Sequence, residues 1–292
     1  MAFLFYFDDM NFVIVNGSLV ERSNAYLAPD NHSYRYGDGL FETMKLLKGN
    51  ILLEEYHFER LLFGIKTLKF KIPPLFTKQK IGDQVRKLCI KNNCEELARV
   101  RLSVSRGNGG LYDCDNQFSY LIESWPLEQT GFNENGLIID IFPDARKSID
   151  IFSNLKSANY LPYVMAAIWA KENKLNDALI LNQHERICDA TIANVFWVKD
   201  DKIYTPPLNE GCVAGVMRQW ILDLSPDSYR DQISDFSVNE AVLTKNILLN
   251  ADEIFLTNVI TGIRWVKQCG DKIYDNKIAN KFFAKLIQTN PA

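Results

Sequence analysis

Residues 154–170, NLKSANYLPYVMAAIWA, set one lysine, Lys156, among small polar residues and follow it at once with an apolar run. Lysine ranks among the residues least often buried, because an ammonium taken out of water loses several kcal/mol of effective solvation. Two readings follow. Lys156 is either an exposed cation ahead of a helix N-terminus, or a pocketed amine whose lowered pKa makes it a nucleophile able to hold an aldehyde. If that aldehyde is carried by a phosphorylated pyridine, the chain must also supply a phosphate cradle and an acid facing the ring nitrogen.

Both can be found on paper. EGCVAGVMRQWILDL (210–224) delivers Gly211 and Gly215 just before a helix, whose first N–H groups, near Val216 and Met217, can bind an anion along the helix axis. Arg60, in YHFERLLFG (56–64), stands off the apolar stripe of its helix, facing either a pocket or solvent. Thr257 and Asn258 end the run EIFLTN (253–258), where hydroxyl and amide donors commonly meet ligands. Asp189, in HERICDATIANVFWV (184–198), opens a strand-like run as either a pyridinium partner or a turn aspartate.

The 292 residues allow one large or two ordinary domains, and the net charge of -3 on 33 basic and 36 acidic residues pulls toward neither nucleic acid nor an anionic membrane. A small-molecule partner is expected. MAFLFYFDDM is too short to span a bilayer, lacks a positive leader and runs into Asp8 and Asp9, so no export signal is read and a cytoplasmic protein is expected. Six cysteines without CxxC pairs and three histidines indicate neither a disulfide framework nor a metal site.

Strand and helix signals alternate. FVIVNGSLVE (12–21) reads as a hairpin turning at Asn16-Gly17. Phe58, Leu61, Leu62, Ile65 and Leu68 mark a helix from Glu55 toward Pro73-Pro74, and a second helix covers Lys78 to Asn92. ARVRLSVSRG (98–107) alternates, with Arg99, Arg101, Ser103 and Ser105 opposite Val100, Leu102 and Val104. The polar QTGFNENG suggests a domain at 1–126, a linker at 127–136 and a second domain at 137–292. In the latter we expect a strand at Leu137 to Phe142, a helix carrying the run after Lys156 and the strand DALILN. A hairpin of ATIANVFWV and KIYT, helices after GCVAG and at Asn239 to Asn250, and the strand EIFLTN complete it.

Taken together, HSYRYGDGLFETMKLLKGNILLEEYHFERL, the SRG segment, NLKSANYL, DALILNQHERICDATIANVFWV, YTPPLNEGCVAGVMRQ and ADEIFLTN resemble the class IV aminotransferases from about residue 14 to residue 268. These are the fold type IV pyridoxal phosphate enzymes, among them branched-chain aminotransferases, D-amino acid aminotransferases and aminodeoxychorismate lyases. The resemblance implies an α/β (α+β) protein with a small N-terminal α/β domain, a larger C-terminal domain with a barrel-like sheet, a cofactor between them and a homodimer. It implies that Lys156 forms the internal aldimine and that Arg60, the backbone at Val216 and Met217, and Thr257 and Asn258 hold the cofactor phosphate. Asp189 falls where the family normally has glutamate; its carboxylate retreats by about one C–C bond but keeps its charge. Tyr160, read as one helical turn beyond Lys156, is expected to bond the cofactor or its lysine.

The resemblance also implies that the released Lys156 moves the substrate's Cα proton, a step shared by transaminases and the lyase. Arg101 resembles the strand arginine near the substrate in branched-chain enzymes; Arg106 resembles an arginine used by the D-amino acid and lyase branches. SRGNGG, ANVFW, GVMRQ and Asn258 look more like the lyase, whereas GGLY stands where many lyases carry a further arginine. Met217 replaces the familiar transaminase threonine, removing a hydroxyl donor. The leading expectation is a branched-chain type aminotransferase, the alternative is aminodeoxychorismate lyase, and the remote one is a non-catalytic binding protein on the same fold.

Overall fold

The computed structural model describes residues 11–128, 131–224 and 236–289; MAFLFYFDDM and residues 129 and 130 of the expected linker lie outside the described residues. Contacts divide the chain into two compact units, Met1–Gln129 with Lys156–Asn159, and Thr130–Leu155 with Tyr160–Ala292. Four residues around the lysine thus belong by contact with the N-terminal unit, although they stand in the second half of the sequence.

In the first unit β1 (Phe12–Val15) and β2 (Ser18–Glu21) form the expected hairpin, with Asn16 and Gly17 at φ 50° and 90°. They are followed by α1 (His32–Tyr36), β3 (Gly39–Leu47), β4 (Asn50–Ile51), α2 (Glu54–Thr67), α3 (Lys78–Lys91), β5 (Leu97–Ser105) and β6 (Ser119–Pro126). The strands make one antiparallel sheet in the order β2-β1-β6-β5-β3-β4. On β5, Ala98, Val100, Leu102 and Val104 are buried and Arg99, Arg101 and Ser103 are half-buried, as the alternation of the sequence requires. Helix α2 sinks Phe58, Leu61 and Ile65 at helical spacing and takes His57 down with them.

The second unit contains β7 (Leu137–Lys147), α4 (Leu161–Glu172), β8 (Asp177–Asn182), β9 (Ile187–Ala190), β10 (Asn194–Lys199), β11 (Lys202–Thr205), α5 (Val216–Asp223) and β12 (Val238–Glu240). After these come α6 (Lys245–Asn250), β13 (Glu253–Asn258), β14 (Gly262–Cys269), β15 (Lys272–Ile273) and α7 (Lys277–Thr289). Its sheet runs β12-β11-β10-β13-β14-β7-β8-β9, with β15 on β14. Strands β9 and β10 are far apart in this order, yet three residues join them and the Ala190 N–H donates to the Ala193 carbonyl. Only a sheet curled toward a barrel satisfies both facts. Both faces of this sheet are covered: Val195 and Trp197 enter one apolar cluster, Phe196 and Val198 another, which explains why NVFWV is apolar without alternation.

Three sequence expectations need correction. ATIANVFWV is not one strand, because the Thr191 N–H and hydroxyl both donate to Asp177 Oδ1 (3.0 and 2.6 Å) and pull the chain out of β9 before β10 begins. Only Lys245–Asn250 is helical within 239–250: Val238–Glu240 pairs in parallel with β11, and Thr244 caps α6 by accepting from the Ile247 N–H. Tyr160 is not one helical turn beyond Lys156 either, since α4 starts at Leu161 with Pro162 in its first turn and Tyr160 at its N-cap, leaving Lys156 ahead of the helix as expected. Among the described residues no helix is long and apolar enough to cross a membrane.

Candidate functional site

Lys156 is held by strand pairing. Its carbonyl accepts from the Phe41 N–H (2.9 Å), the Ala158 N–H donates to the Gly39 carbonyl (2.8 Å), and Ser157 bridges Leu40. Gly39 itself has no room for a side chain, because a Cβ there would lie 2.5 Å from Ser33 Oγ and 2.6 Å from the Val104 carbonyl. The half-buried lysine places Nζ 4.7 Å from the centre of the Phe41 ring. Two residues upstream, Asn154 Nδ2 donates to the Leu208 and Cys212 carbonyls, and the Asn154 carbonyl accepts from the Ala214 N–H.

Behind β3 lies a buried knot. The Nε and Nη2 atoms of Arg60 fork onto Glu42, Nε at 2.8 Å, while His57 Nδ1 donates to Glu42 Oε2 at 2.7 Å. Burial would raise the Glu42 carboxyl, but the charge of Arg60 and the bonds from His57 and Arg60 bring it down to about 2. Burial lowers His57 against the opposing pull of Glu42, leaving it neutral with Nε2 enclosed and unpartnered among the described residues. The sequence reading chose Arg60 and passed over its partners, although His57 three residues earlier on α2 is the signal of a shared helix face.

Asp189 sits on β9 opposite Ile180 and is buried. Its Oδ2 accepts from Lys147 Nζ (3.0 Å), the Tyr163 hydroxyl (2.8 Å) and the Val213 N–H (2.9 Å), while Oδ1 accepts from Asn194 Nδ2 (3.1 Å). This is an anchored carboxylate, not a turn aspartate. Tyr163, pushed well above its ordinary pKa by burial and then by the charge of Asp189, stays a donor. Lys147, Tyr163 and Asn194 escaped the sequence reading; only Tyr163, a tyrosine in an apolar helix, leaves a trace.

Asn194 also links the acid to the cradle. Gly215 caps α5 without side-chain help, and a Cβ on it would lie 1.8 Å from Asn194 Oδ1. The Gln219 N–H is the first to reach back, to the Gly215 carbonyl (2.9 Å), so the Val216 and Met217 N–H groups point along the axis as anion donors. Thr257 faces Asn194 across β13 and β10, and its Oγ1 is buried without a partner among the described residues. An unmet buried hydroxyl beside an uncapped helix start fits an anionic group such as a phosphate. Met217 packs into the adjoining apolar cluster. Asn258 Oδ1 is engaged in its own turn, accepting from the Ile260 and Thr261 N–H groups (3.0 and 2.8 Å).

Tyr160 donates to the Thr191 carbonyl (3.0 Å) and stacks on Tyr163 at 4.3 Å between ring centres. The helical-turn argument for it fails, because Ser157 bridges Leu40 and α4 begins only at Leu161, so no helical turn joins Lys156 to Tyr160.

The two candidate arginines differ. Arg101 lays its guanidinium 3.9 Å from the centre of the same Phe41 ring that Lys156 borders, with Nε donating to Ser103 Oγ (3.1 Å). Arg106 donates to both oxygens of Asp38 (2.6 and 3.1 Å) and to the Leu68 carbonyl (2.8 Å). Asp38 also pairs with His32 at 2.9 Å; burial would raise its carboxyl, but Arg106 and His32 hold it below its usual range. Among the described residues no cluster of metal-ligating side chains occurs.

The model of the family described as amino-transferase class IV matches residues 39–269. The chain is 30% identical over 254 residues to an aminodeoxychorismate lyase of Vibrio harveyi, covering 85% of this chain and 88% of that one. It is 28% identical over 281 residues, 94% of this chain and 93% of the other, to a Methanocaldococcus jannaschii protein provisionally named a branched-chain-amino-acid aminotransferase. The crystal structure of a branched-chain aminotransferase from Thermoproteus uzoniensis with norvaline superposes with a TM-score of 0.83 at 22% identity, over 97% of this chain and 98% of that one.

Proposed function

From a chain that belongs to the class IV aminotransferase family, whose members are pyridoxal phosphate enzymes, we propose an aminotransferase of the branched-chain type that passes the amino group of an amino acid to a 2-oxo acid. The bound cofactor supplies an aldehyde for covalent attachment and an electron-withdrawing ring. Lys156 would hold that aldehyde carbon and, once released by the substrate's amine, take the proton from the donor's Cα and, in the second half of the cycle, deliver a proton to the Cα of the acceptor. Arg60, the Val216 and Met217 N–H groups and the Thr257 hydroxyl bind the phosphate, with Asn258 shaping the turn beside Thr257. Asp189 faces the ring nitrogen, and Tyr160 orients the bound ring.

The choice of reaction rests on the two arginines. Arg101 shares the Phe41 ring with Lys156 and is the planar donor suited to a substrate carboxylate, whereas Arg106 is spent on Asp38 and Leu68. The identity to the Vibrio harveyi lyase favours a second reading, release of 4-aminobenzoate and pyruvate from aminodeoxychorismate. Offering aminodeoxychorismate and, separately, branched-chain and D-amino acids with 2-oxoglutarate decides between them. Keto acid from branched-chain amino acids is expected; 4-aminobenzoate with pyruvate and no keto acid from the amino acids would contradict the aminotransferase.

A homodimer belongs to this reading. Helix α4 buries Tyr163, Ala166 and Ala170, yet exposes Leu161, Val164, Met165 and Ile168 on its other side. A helix apolar all round calls for cover on both faces. Sedimentation should give a dimer that Val164→Asp weakens.

A further inference from the structure

Lys147 ends β7 with its Nζ 3.0 Å from Asp189 Oδ2 and 5.2 Å from the centre of the Tyr163 ring; Lys147 is 9% exposed and Asp189 2%. Three donors fill Oδ2, while Oδ1 accepts from Asn194 and keeps capacity for one more donor. The titratable groups packed on the pair are Tyr163 from α4, Cys188 beside Asp189 on β9, and Cys212 in the loop before α5. Burial raises Cys188 far above its ordinary range and pushes Cys212 up to about 12, so these groups stay neutral beside the Lys147–Asp189 ion pair.

Resting on the proposed function, we propose that Lys147 is a positioning residue that sets the acidity of the cofactor's ring nitrogen. It fixes Asp189 through Oδ2, leaving Oδ1 for the ring N–H, and its ammonium offsets the carboxylate's charge. An opposite charge stabilises a protonated ring nitrogen and a like charge destabilises it. The ring nitrogen facing this pair therefore loses its proton at lower pH than it would facing Asp189 alone, and it withdraws electrons less strongly. The family's preference for a glutamate at this position gives no hint of this, because the cation comes from a strand end forty-two residues upstream.

The test is nitrogen-15 NMR of holoenzyme reconstituted with ring-labelled pyridoxal phosphate, titrated in wild type, Lys147→Gln and Lys147→Arg. Glutamine keeps a donor and removes the charge; it should move ring deprotonation to higher pH, to a proton concentration lower by about tenfold or more, while arginine leaves it near wild type. Stranding Asp189 can unfold the glutamine variant, so Asp189→Asn is compared with Asp189→Asn/Lys147→Gln, which strands neither charge. The double variant should deprotonate at higher pH than Asp189→Asn, at a proton concentration lower by about tenfold or more. An unmoved titration in the single variant, in the double comparison, or an equal shift with arginine and glutamine overturns the proposal. Failure of wild type to acquire a visible absorption band with pyridoxal phosphate overturns instead the function on which it rests.

Discussion

Glu42 and Asp189 are each 2% exposed, and each meets a cation and a neutral ring-bearing partner, yet their bonds are arranged in opposite senses. Glu42 gives both oxygens to Arg60 and adds His57, so the carboxylate is spent on fixing a cation. Asp189 collects a cation, a phenol, an amide and a backbone N–H, mostly on one oxygen, so its neighbours are spent on fixing the acid. In the proposed function Glu42 serves Arg60, whereas Asp189 itself faces the ring nitrogen.

Glu42→Gln would break this comparison most severely. Removing one charge of a buried pair costs about 3–5 kcal/mol, and chemical denaturation should show a loss of that order together with weaker cofactor binding. A variant of native stability and affinity would mean that Glu42 does not position Arg60. Asp189→Asn should retain the cofactor but slow turnover by about 10²–10³-fold, the scale seen when a preorganised electrostatic partner is lost; unchanged turnover removes Asp189 from the chemistry.

The arginines sharpen the contrast at smaller scale. Arg101→Gln should raise KM for the amino acid about tenfold or more, since a hydrogen bond to a charged group is worth about 1.5–3 kcal/mol. Arg106→Gln should instead lower thermal stability through Asp38 and leave KM near wild type; the reverse pattern would point to the other branch of the family. The smallest effect is in pH. The Glu42 carboxyl is depressed from 4.5 to about 2, so its contribution to stability is fully present above 4.5 and is lost as pH falls toward 2. The stability gap between wild type and Glu42→Gln should narrow over that window, and a gap constant down to pH 2 would contradict the pairing.

Much of this was legible in the residues. The hairpin at Asn16-Gly17 and the alternation of β5 follow from local propensity and period and are found where the pattern puts them, while helix α2 starts where expected but ends at Thr67, short of Pro73, with Leu62 exposed. Residues 239–250 and ATIANVFWV misled because tertiary bonds, to β11 and to Asp177, override an apolar run of ambiguous period. At the site, Lys156 and Asp189 were visible from motif order, but the strand-like hold on Lys156 was not. It depends on a pairing with β3 more than one hundred residues away. Lys147 was invisible for the same reason: a long-range salt bridge leaves no spacing to read.

The central claim is that Lys156 carries the cofactor. Incubation with pyridoxal phosphate, reduction with borohydride and mass mapping of the digest tests it directly. The account predicts a visible band before reduction and a phosphopyridoxyl group fixed on the peptide bearing Lys156, both absent in Lys156→Ala. A colourless protein, or a label on another lysine with Lys156 unmodified, would contradict it.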